Sequence, residues 1–412
     1  MKTGALVTIW LVGAVSYLAF GGYVSAQSIG SRRRLENMLP TLSIAVAVLF
    51  FLGSSLFAAP AFAASAAAAT LQKAKQAADA KGYAFITSHD EILAGARKEG
   101  KLRAHSSLDP NTFKPLMDSF KKRYPFVDIE IQEMTGTDTA QRFLLELKAG
   151  TVKEWDTLHL PEDFYTDYAP HAKKIDVLGM AEHGVLKINP KMVDPEYRSM
   201  VSIGSAICSI AYNKNHLAAD KVPNKWEDFL KPEFKGRKFL VDIRPYCVAA
   251  LVPAMGEEWV KNYARKIKEQ EPIWVRGQTR AMSGIIAGEY ALHQMTQYHS
   301  CMRAAAKDIT KSLGCKIIEP VPAKIQDVEG VLQSAPNPSR ALLFIEHNAS
   351  PEAQKIIDEF NPLKSNIFAD GEIAKLLKGK KVSLNDFRTY HKSPERIKMV
   401  VEAYGFPKAD VR

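Results

Sequence analysis

Cysteine is scarce, with four residues in 412. That is too few for a scaffold built on disulfides. Cys208, Cys247, Cys301 and Cys315 contain no C-x-x-C pair, so the usual ligand spacing of a structural zinc site is missing. In an oxidising compartment they can join, and sequence leaves all three pairings open. The marks of common catalytic machinery are absent as well: there is no G-x-S-x-G, no H-E-x-x-H and no G-x-G-x-x-G. Gly95-Ala96-Arg97-Lys98-Glu99-Gly100-Lys101 follows a phosphate-binding loop as far as its lysine. Leu102, however, stands where a Ser or Thr must hold magnesium, and the segment runs from helix to strand, the reverse of that motif. There is no internal repeat, and no basic block is longer than Lys378 to Lys381, so no nucleic-acid partner is expected.

What is present begins with an uneven distribution of apolar residues. Arg32, Arg33 and Arg34 precede an apolar run from Leu42 to Ala58, and Ala61-Phe62-Ala63 follows as an A-x-A cleavage site. This reads as a secretory signal, with Ser31-Arg32-Arg33-Arg34-Leu35 also resembling a twin-arginine motif. A second apolar stretch, Gly4 to Ala26, is long enough to span a bilayer. Either translation starts downstream of it or it anchors the chain. The expectation is a cleaved targeting region 1–64 and a periplasmic protein with no long apolar run after residue 69. The whole chain has 55 Lys and Arg against 45 Asp and Glu, a net charge of +10. Segment 1–64 carries Lys2 and three arginines against Glu36, which leaves 348 residues at +7. That excess suits an anionic ligand.

The remaining chain alternates helices and strands. Residues 64–81 are alanine-rich and predict an isolated helix or a flexible stretch, part of a lead-in over 65–98. Lys101 to His105 predicts a strand, and Asp109 to Tyr124 a helix with Phe113, Leu116, Met117 and Phe120 at helical spacing. Val127 to Glu133 alternates as a half-buried strand, Thr139 to Ala149 is a helix, and Trp155 to Leu160 a strand. This order predicts parallel βαβ units. A second set begins with a strand at Ser205 to Tyr212. It continues through strands at Lys238 to Asp242, Tyr290 to Thr296 and Lys316 to Val321, with helices over Glu257 to Gln270, Arg280 to Ala287 and Ser300 to Leu313. Helices at Pro338 to Asn348, Pro351 to Phe360 and Pro394 to Tyr404 close the chain.

Several turns that follow strands are polar and open helices. His105-Ser106-Ser107-Leu108-Asp109, Gly136-Thr137-Asp138-Thr139 and Arg276-Gly277-Gln278-Thr279 each offer hydroxyls and free helix N–H groups. Open α/β sheets bind ligands at such places, and the helix dipole favours anions there. Ser106, Ser107, Thr137, Gln278 and Thr279 are therefore candidate cleft residues, with Arg244 and Tyr246 as further candidates after the Phe239 to Ile243 strand.

The segment from Glu99-Gly100-Lys101-Leu102 to Tyr124-Pro125, with Ser106-Ser107-Leu108-Asp109-Pro110 inside it, resembles bacterial extracellular solute-binding proteins of the ferric-iron, type 2 periplasmic group. So do Ala211-Tyr212-Asn213-Lys214, Trp226-Glu227-Asp228-Phe229-Leu230, Phe234-Lys235-Gly236-Arg237-Lys238, the run Pro272 to Arg280, Gly288-Glu289-Tyr290 and the run Ala335 to Ile345. The resemblance covers residues 90–390. It implies an α/β fold of two lobes, 99–204 with 322–412 and 205–321, joined by two crossing strands that act as a hinge. It further implies a monomeric, non-enzymatic protein that hands its solute to an inner-membrane ABC permease.

Ferric members of that family hold iron with adjacent tyrosines after the strand that follows a G-E-x motif, since Fe³⁺ prefers oxygen ligands. Here the place reads Thr296-Gln297-Tyr298-His299-Ser300. Tyr298 fits the first tyrosine and His299 replaces the second. Asp109 stands near a first-lobe ligand position, and Glu162 or Asp163 near a family carboxylate. The resemblance thus implies Tyr298 and Glu162 as metal ligands if ferric iron is the cargo, or a small organic anion in its place, with no resident cofactor. A ligand-sensing partner of a membrane receptor and a secreted hydrolase or transferase are the alternatives. For the latter no nucleophile–base or two-carboxylate constellation can be assembled.

Overall fold

Strand β1 (Leu102–Ser106) pairs in parallel with β2 (Ile129–Glu133), in register from Leu102 opposite Ile129 to Ser106 opposite Glu133. The computed structural model describes residues 68–406, so the expected targeting region lies outside the described residues. Helix α1 (His89–Ala96) is capped by the Ser88 hydroxyl, which accepts from the Asp90 N–H. Helix α2 (Phe113–Arg123) connects β1 to β2. It buries Leu116 and Phe120 and ends in Lys121, Lys122 and Arg123, where cations complement the dipole. Helix α3 (Thr137–Lys148) follows β2 and buries Phe143, Leu144 and Leu147. Strand β3 (Thr157–Leu160) comes next, buried along its whole length.

The larger sheet is mixed. Its strands are β4 (Val201–Asn213), β5 (Leu240–Asp242), β6 (Ile273–Val275), β7 (Leu292–Gln297), β8 (Leu313–Lys316), β9 (Val321–Val331) and β10 (Val382–Asn385). The order is β10-β9-β4-β7-β5-β6, with β3 paired to β9 and β8 to β4. β4 and β9 are antiparallel, and β4 pairs with strands of both halves. Val201 to Ile207 of β4 lie against β9, whereas Cys208 to Asn213 lie against β7 and β8. These are the two crossing strands, and they join the lobes of a two-lobe α/β fold.

Each lobe has its own core. Ile92, Leu102, Phe120 and Phe344 belong to one core of the first lobe, and Phe143, Leu158 and Tyr168 to another. In the second lobe Trp226, Phe229, Phe239 and Tyr263 pack together. Helix α4 (Glu257–Glu269) contributes Val260, Ala264 and Ile267 to that core. Helices α5 (Gln278–Ile286) and α6 (Tyr298–Lys307) bury Ala281, Met282, Ile285 and Cys301 against Leu240 and Leu313. Helices α7 (Pro338–Asn348) and α8 (Pro351–Phe360) return to the first lobe.

The helix expected over Ser300 to Leu313 ends at Lys307, and Leu313 instead opens β8. The single strand expected at Lys316 to Val321 is two, and its second part is the long crossing strand β9. Charged residues inside β9 (Lys324, Asp327 and Glu329) mask its strand pattern, because partners from distant segments bury them. The parallel βαβ expectation holds for β1–β2, while the crossing strands run antiparallel because the chain crosses the hinge in both directions. The C-terminal helix α9 (Ser393–Tyr404) falls within the segment expected to complete the first lobe. Its Ile397, Val400, Val401 and Tyr404 instead pack into the core of the second.

Two disulfides are present. Cys208–Cys247 ties β4 to the short helix Tyr246–Ala249, and Cys301–Cys315 ties α6 to β8.

Candidate functional site

A cavity of about 460 Å³ opens where the crossing strands meet both lobes. From the first lobe it takes the loop after β1, with Ser107 and Asp109, and the end of β3, with His159 and Glu162. From the second it takes Gln297 and the first turns of α6, with His299, Ser300 and Arg303. Asp327 of β9, Lys364 from the segment after α8, and Tyr390 complete the wall.

The loop after β1 is shaped by its own side chains. The Ser106 hydroxyl, buried, accepts from the Leu108 N–H at 3.3 Å. Asp109 accepts from the Asn111 N–H at 3.1 Å and so caps the turn that leads into α2. This leaves Ser107 and the second Asp109 oxygen to face the cavity. Ser107 donates to Asp327 Oδ1 at 2.5 Å, and Arg303 Nη1 lies 2.9 Å from Asp109 Oδ2.

The floor is a set of charge pairs. Asp327 Oδ2 lies 2.8 Å from Lys364 Nζ, both groups buried, and Lys364 also donates to Gln326 Oε1 at 2.5 Å. Burial alone would raise the Asp327 carboxyl, but Lys364 and the Ser107 hydrogen bond hold it below the ordinary carboxylate range. Asp327 has a positive φ of 51°. Its carboxylate lies against Gly204 of β4, where an added Cβ would collide with it, while the register partner of Gly204 is Gln326. Glu162 is paired with Lys324, whose ammonium sits 4.9 Å over the Tyr246 ring. The Tyr246 hydroxyl in turn donates to Asp163 Oδ2 at 3.3 Å, a second contact between the lobes. Burial raises the Asp163 carboxyl.

His159 and His299 are both buried and line the cavity, and neither Nδ1 has a hydrogen-bond partner. Burial pushes His159 down to about 4 and His299 well below its ordinary range, so both imidazoles are neutral near pH 7. In each ring the Nδ1 is enclosed and lacks a hydrogen-bond partner. The wall therefore combines neutral hydrogen-bonding groups with three carboxylate–cation pairs whose partners a ligand can exchange. Among the described residues no group of three or more His, Cys, Asp or Glu side chains is placed to hold a metal ion.

Of the residues singled out in the sequence, Ser107, Asp109, Glu162 and His299 come together here. Ser106 supports the loop from behind. Tyr298, expected beside His299, points elsewhere and packs against the cluster of Ile207, Val321, Ala323 and Ile373. Successive residues on a helix are about 100° apart, and the rotation of α6 that sets His299, Ser300 and Arg303 on the wall turns Tyr298 away from it. Gln278 accepts from Thr296 Oγ1 and from the Gln297 N–H, each at 3.2 Å, and so ties α5 to β7. Thr279 lines a second cavity of about 510 Å³ between α5 and α6. Arg244 lines a small recess near Cys247 and Gln294, and Tyr246 reaches the Glu162–Asp163 edge. Thr137 lies in the first turn of α3, outside these cavities.

Sequence reading missed His159, Arg303, Asp327, Lys364 and Tyr390. Asp327 and Glu329 inside an apolar strand are the one signal that was present, since charges buried in a strand need partners.

Residues 164–368 match the family model of bacterial extracellular solute-binding proteins. This stretch belongs to that family. The solute-binding fold is shared with solved structures of low sequence identity. Trichodesmium FutA, in complex with iron and citrate ligands, is 20% identical, with a TM-score of 0.55 over 74% of this chain and 99% of that one. The apo ferric ion-binding protein A of Pasteurella haemolytica is 18% identical, with a TM-score of 0.57 over 75% and 99%. The Mannheimia haemolytica ferric iron-binding protein A, in an open conformation, is 19% identical, with a TM-score of 0.58 over 74% and 100%. The search of curated proteins found no significant match to this solute-binding protein.

Proposed function

We propose that this chain is the periplasmic, non-enzymatic solute receptor of an ABC importer, acting as a monomer, and that its cargo is a small organic anion closed between the lobes. The single observation that carries the reading is the hinge cavity. Two buried neutral imidazoles with unpartnered nitrogens, His159 and His299, stand there beside the Lys364 and Arg303 cations, on elements from both lobes and from a crossing strand. An anion that enters can take hydrogen bonds from Arg303 and Lys364, and closure then buries it. Occupancy is signalled to the permease by the closed shape. Two disulfides accord with an oxidising compartment outside the cytoplasm.

Ferric iron is the second reading. Glu162, Asp327 and the Tyr390 phenol on the cavity wall favour it through their hard oxygens. Against it, each of these carboxylates is engaged by an ammonium, and burial raises the Tyr390 hydroxyl far above its ordinary range.

The test is a thermal-shift panel with ferric citrate, alkylphosphonates, sugar phosphates and dicarboxylates. A ligand that binds the native state raises the melting temperature by mass action. A shift with at least one organic anion is expected. A shift with Fe³⁺ alone, accompanied by a visible tyrosinate-to-iron band that is lost in Tyr390→Phe, would replace the anion by iron. No shift with any compound, together with turnover in a hydrolase or transferase screen, would remove the transport reading.

A further inference from the structure

The hinge cavity is not closed at its second-lobe end. Asp109, Ser300 and Arg303 line both it and the second cavity, so the Asp109–Arg303 pair stands at a shared boundary. The two spaces differ in chemistry. The first is walled by charged and polar groups, whereas Met282, Ile286, Ala304 and Ile309 supply apolar surface to the second. Ile309 is 95% exposed. The turn is fixed because Asp308 accepts from the N–H groups of Thr310 and Leu313 and from the Thr310 and Ser312 hydroxyls. The chain therefore presents Ile309 to solvent at the mouth of the second cavity without freedom to fold it away.

We propose that the two cavities form one bipartite site, and that the cargo is an extended organic anion whose charged head lies in the hinge cavity and whose carbon chain lies between α5 and α6. This rests on the anion reading above. Arg303 is the pivot. It leaves Asp109 to meet the head, and its displacement opens the passage along Ser300 into the second cavity. The chain then covers Ile286 and Ile309, which removes apolar surface from water on both partners.

The test measures binding by calorimetry for n-alkylphosphonates from methyl to hexyl, and in parallel for n-alkylcarboxylates from acetate to hexanoate. Each buried methylene should strengthen binding about three- to fourfold. Ile309→Asn, at an exposed position that folding does not depend on, should flatten this dependence. Ile286→Asn gives a second, independent reading of the same wall. Equal affinity along a series, or a length dependence untouched by both variants, would overturn the bipartite site and leave the anion reading standing. No binding by any member of either series would also overturn the bipartite site, while the anion reading is decided by the sugar phosphates and dicarboxylates of the thermal-shift panel.

Discussion

Ser107 and Asp327 lie 220 positions apart in sequence, and the serine hydroxyl donates to the carboxylate at 2.5 Å. This contact joins the first loop of one lobe to a hinge strand, and Lys364 holds the other carboxylate oxygen. The three groups form a buried charge network at the base of the cavity. Asp327→Ala strands the Lys364 ammonium, and removing one member of a buried pair costs about 3–5 kcal/mol. Ser107→Ala removes one hydrogen bond to a charged group, worth about 1.5–3 kcal/mol. Urea unfolding measures both. Costs near zero for both would mean the network is solvated in solution.

Arg303 and Asp109 bridge the lobes at a partly exposed site, so their worth to folding is small, about 0–1 kcal/mol. Arg303→Ala should therefore leave the melting temperature nearly unchanged. It should still shift the protein toward a more open shape, because few other polar contacts of this kind cross the cleft. Small-angle scattering of the ligand-free protein should report a larger radius of gyration in the variant. Identical scattering curves would show that the pair does not hold the lobes together.

The pH dependence follows from groups whose protonation differs between folded and unfolded chains. Burial pushes Glu329 on β9 up to about 8 from an ordinary 4.5, with the Asn348 amide at 3.1 Å as its partner. Between these values the folded chain holds a proton that the unfolded chain has lost. Stability is thus fully present below 4.5 and declines as pH rises toward 8, by about 1.4 kcal/mol per pH unit where the linkage is complete. Glu329→Gln keeps the amide contact and should abolish the decline. Unfolding curves at pH 6 and 8 for both proteins decide this, and equal slopes would contradict the burial of the acid.

His159 has the opposite sign. Its folded value is pushed down to about 4 from 6.5, so the unfolded chain takes up a proton first as pH falls. Stability is present above 6.5 and is lost progressively toward 4. His159→Gln should reduce the acid sensitivity between pH 6.5 and 5, and solute binding should weaken with it because a cavity hydrogen-bonding group is altered. Unchanged acid sensitivity would place the imidazole in contact with water.

Cys301–Cys315 closes a short loop, 14 positions long, that holds α6 to β8. A loop of this size constrains the unfolded chain by about 3 kcal/mol in the chain-entropy model. The double variant Cys301→Ser and Cys315→Ser should lose stability on that order. It should also bind solute more weakly, because α6 carries His299 and Arg303. Full affinity in the double variant would show that the core around Leu313 positions α6 without the covalent tie.

Much of the layout was legible along the chain. Helical spacing located α2, α7 and α8, because each buries one apolar stripe whatever it packs against. The turn after β1 was legible for the same local reason: Asp109 caps its own helix, so its effect lies within three residues. Ser107 was found because it lies in a polar turn after a strand, whereas Asp109, Glu162 and His299 were found through the resemblance to ferric solute-binding proteins.

The remainder was decided only by the fold. Tyr298 and His299 are equivalent choices in sequence, and the rotation of α6 alone turns the imidazole to the cavity and the phenol to the apolar cluster. Asp327, Lys364 and Lys324 read as solvated charges until β9 is buried between β3, β4 and β10. The pairing of the cysteines and the return of α9 to the second lobe are likewise long-range events. By itself the sequence determined most of the segments that form helices and strands and hence an α/β chain, since those depend on period and local capping, while its solute-binding character was legible through the resemblance to a known family. The tertiary structure decided which side chains share the cavity and in what protonation state, because burial and distance between remote residues set both.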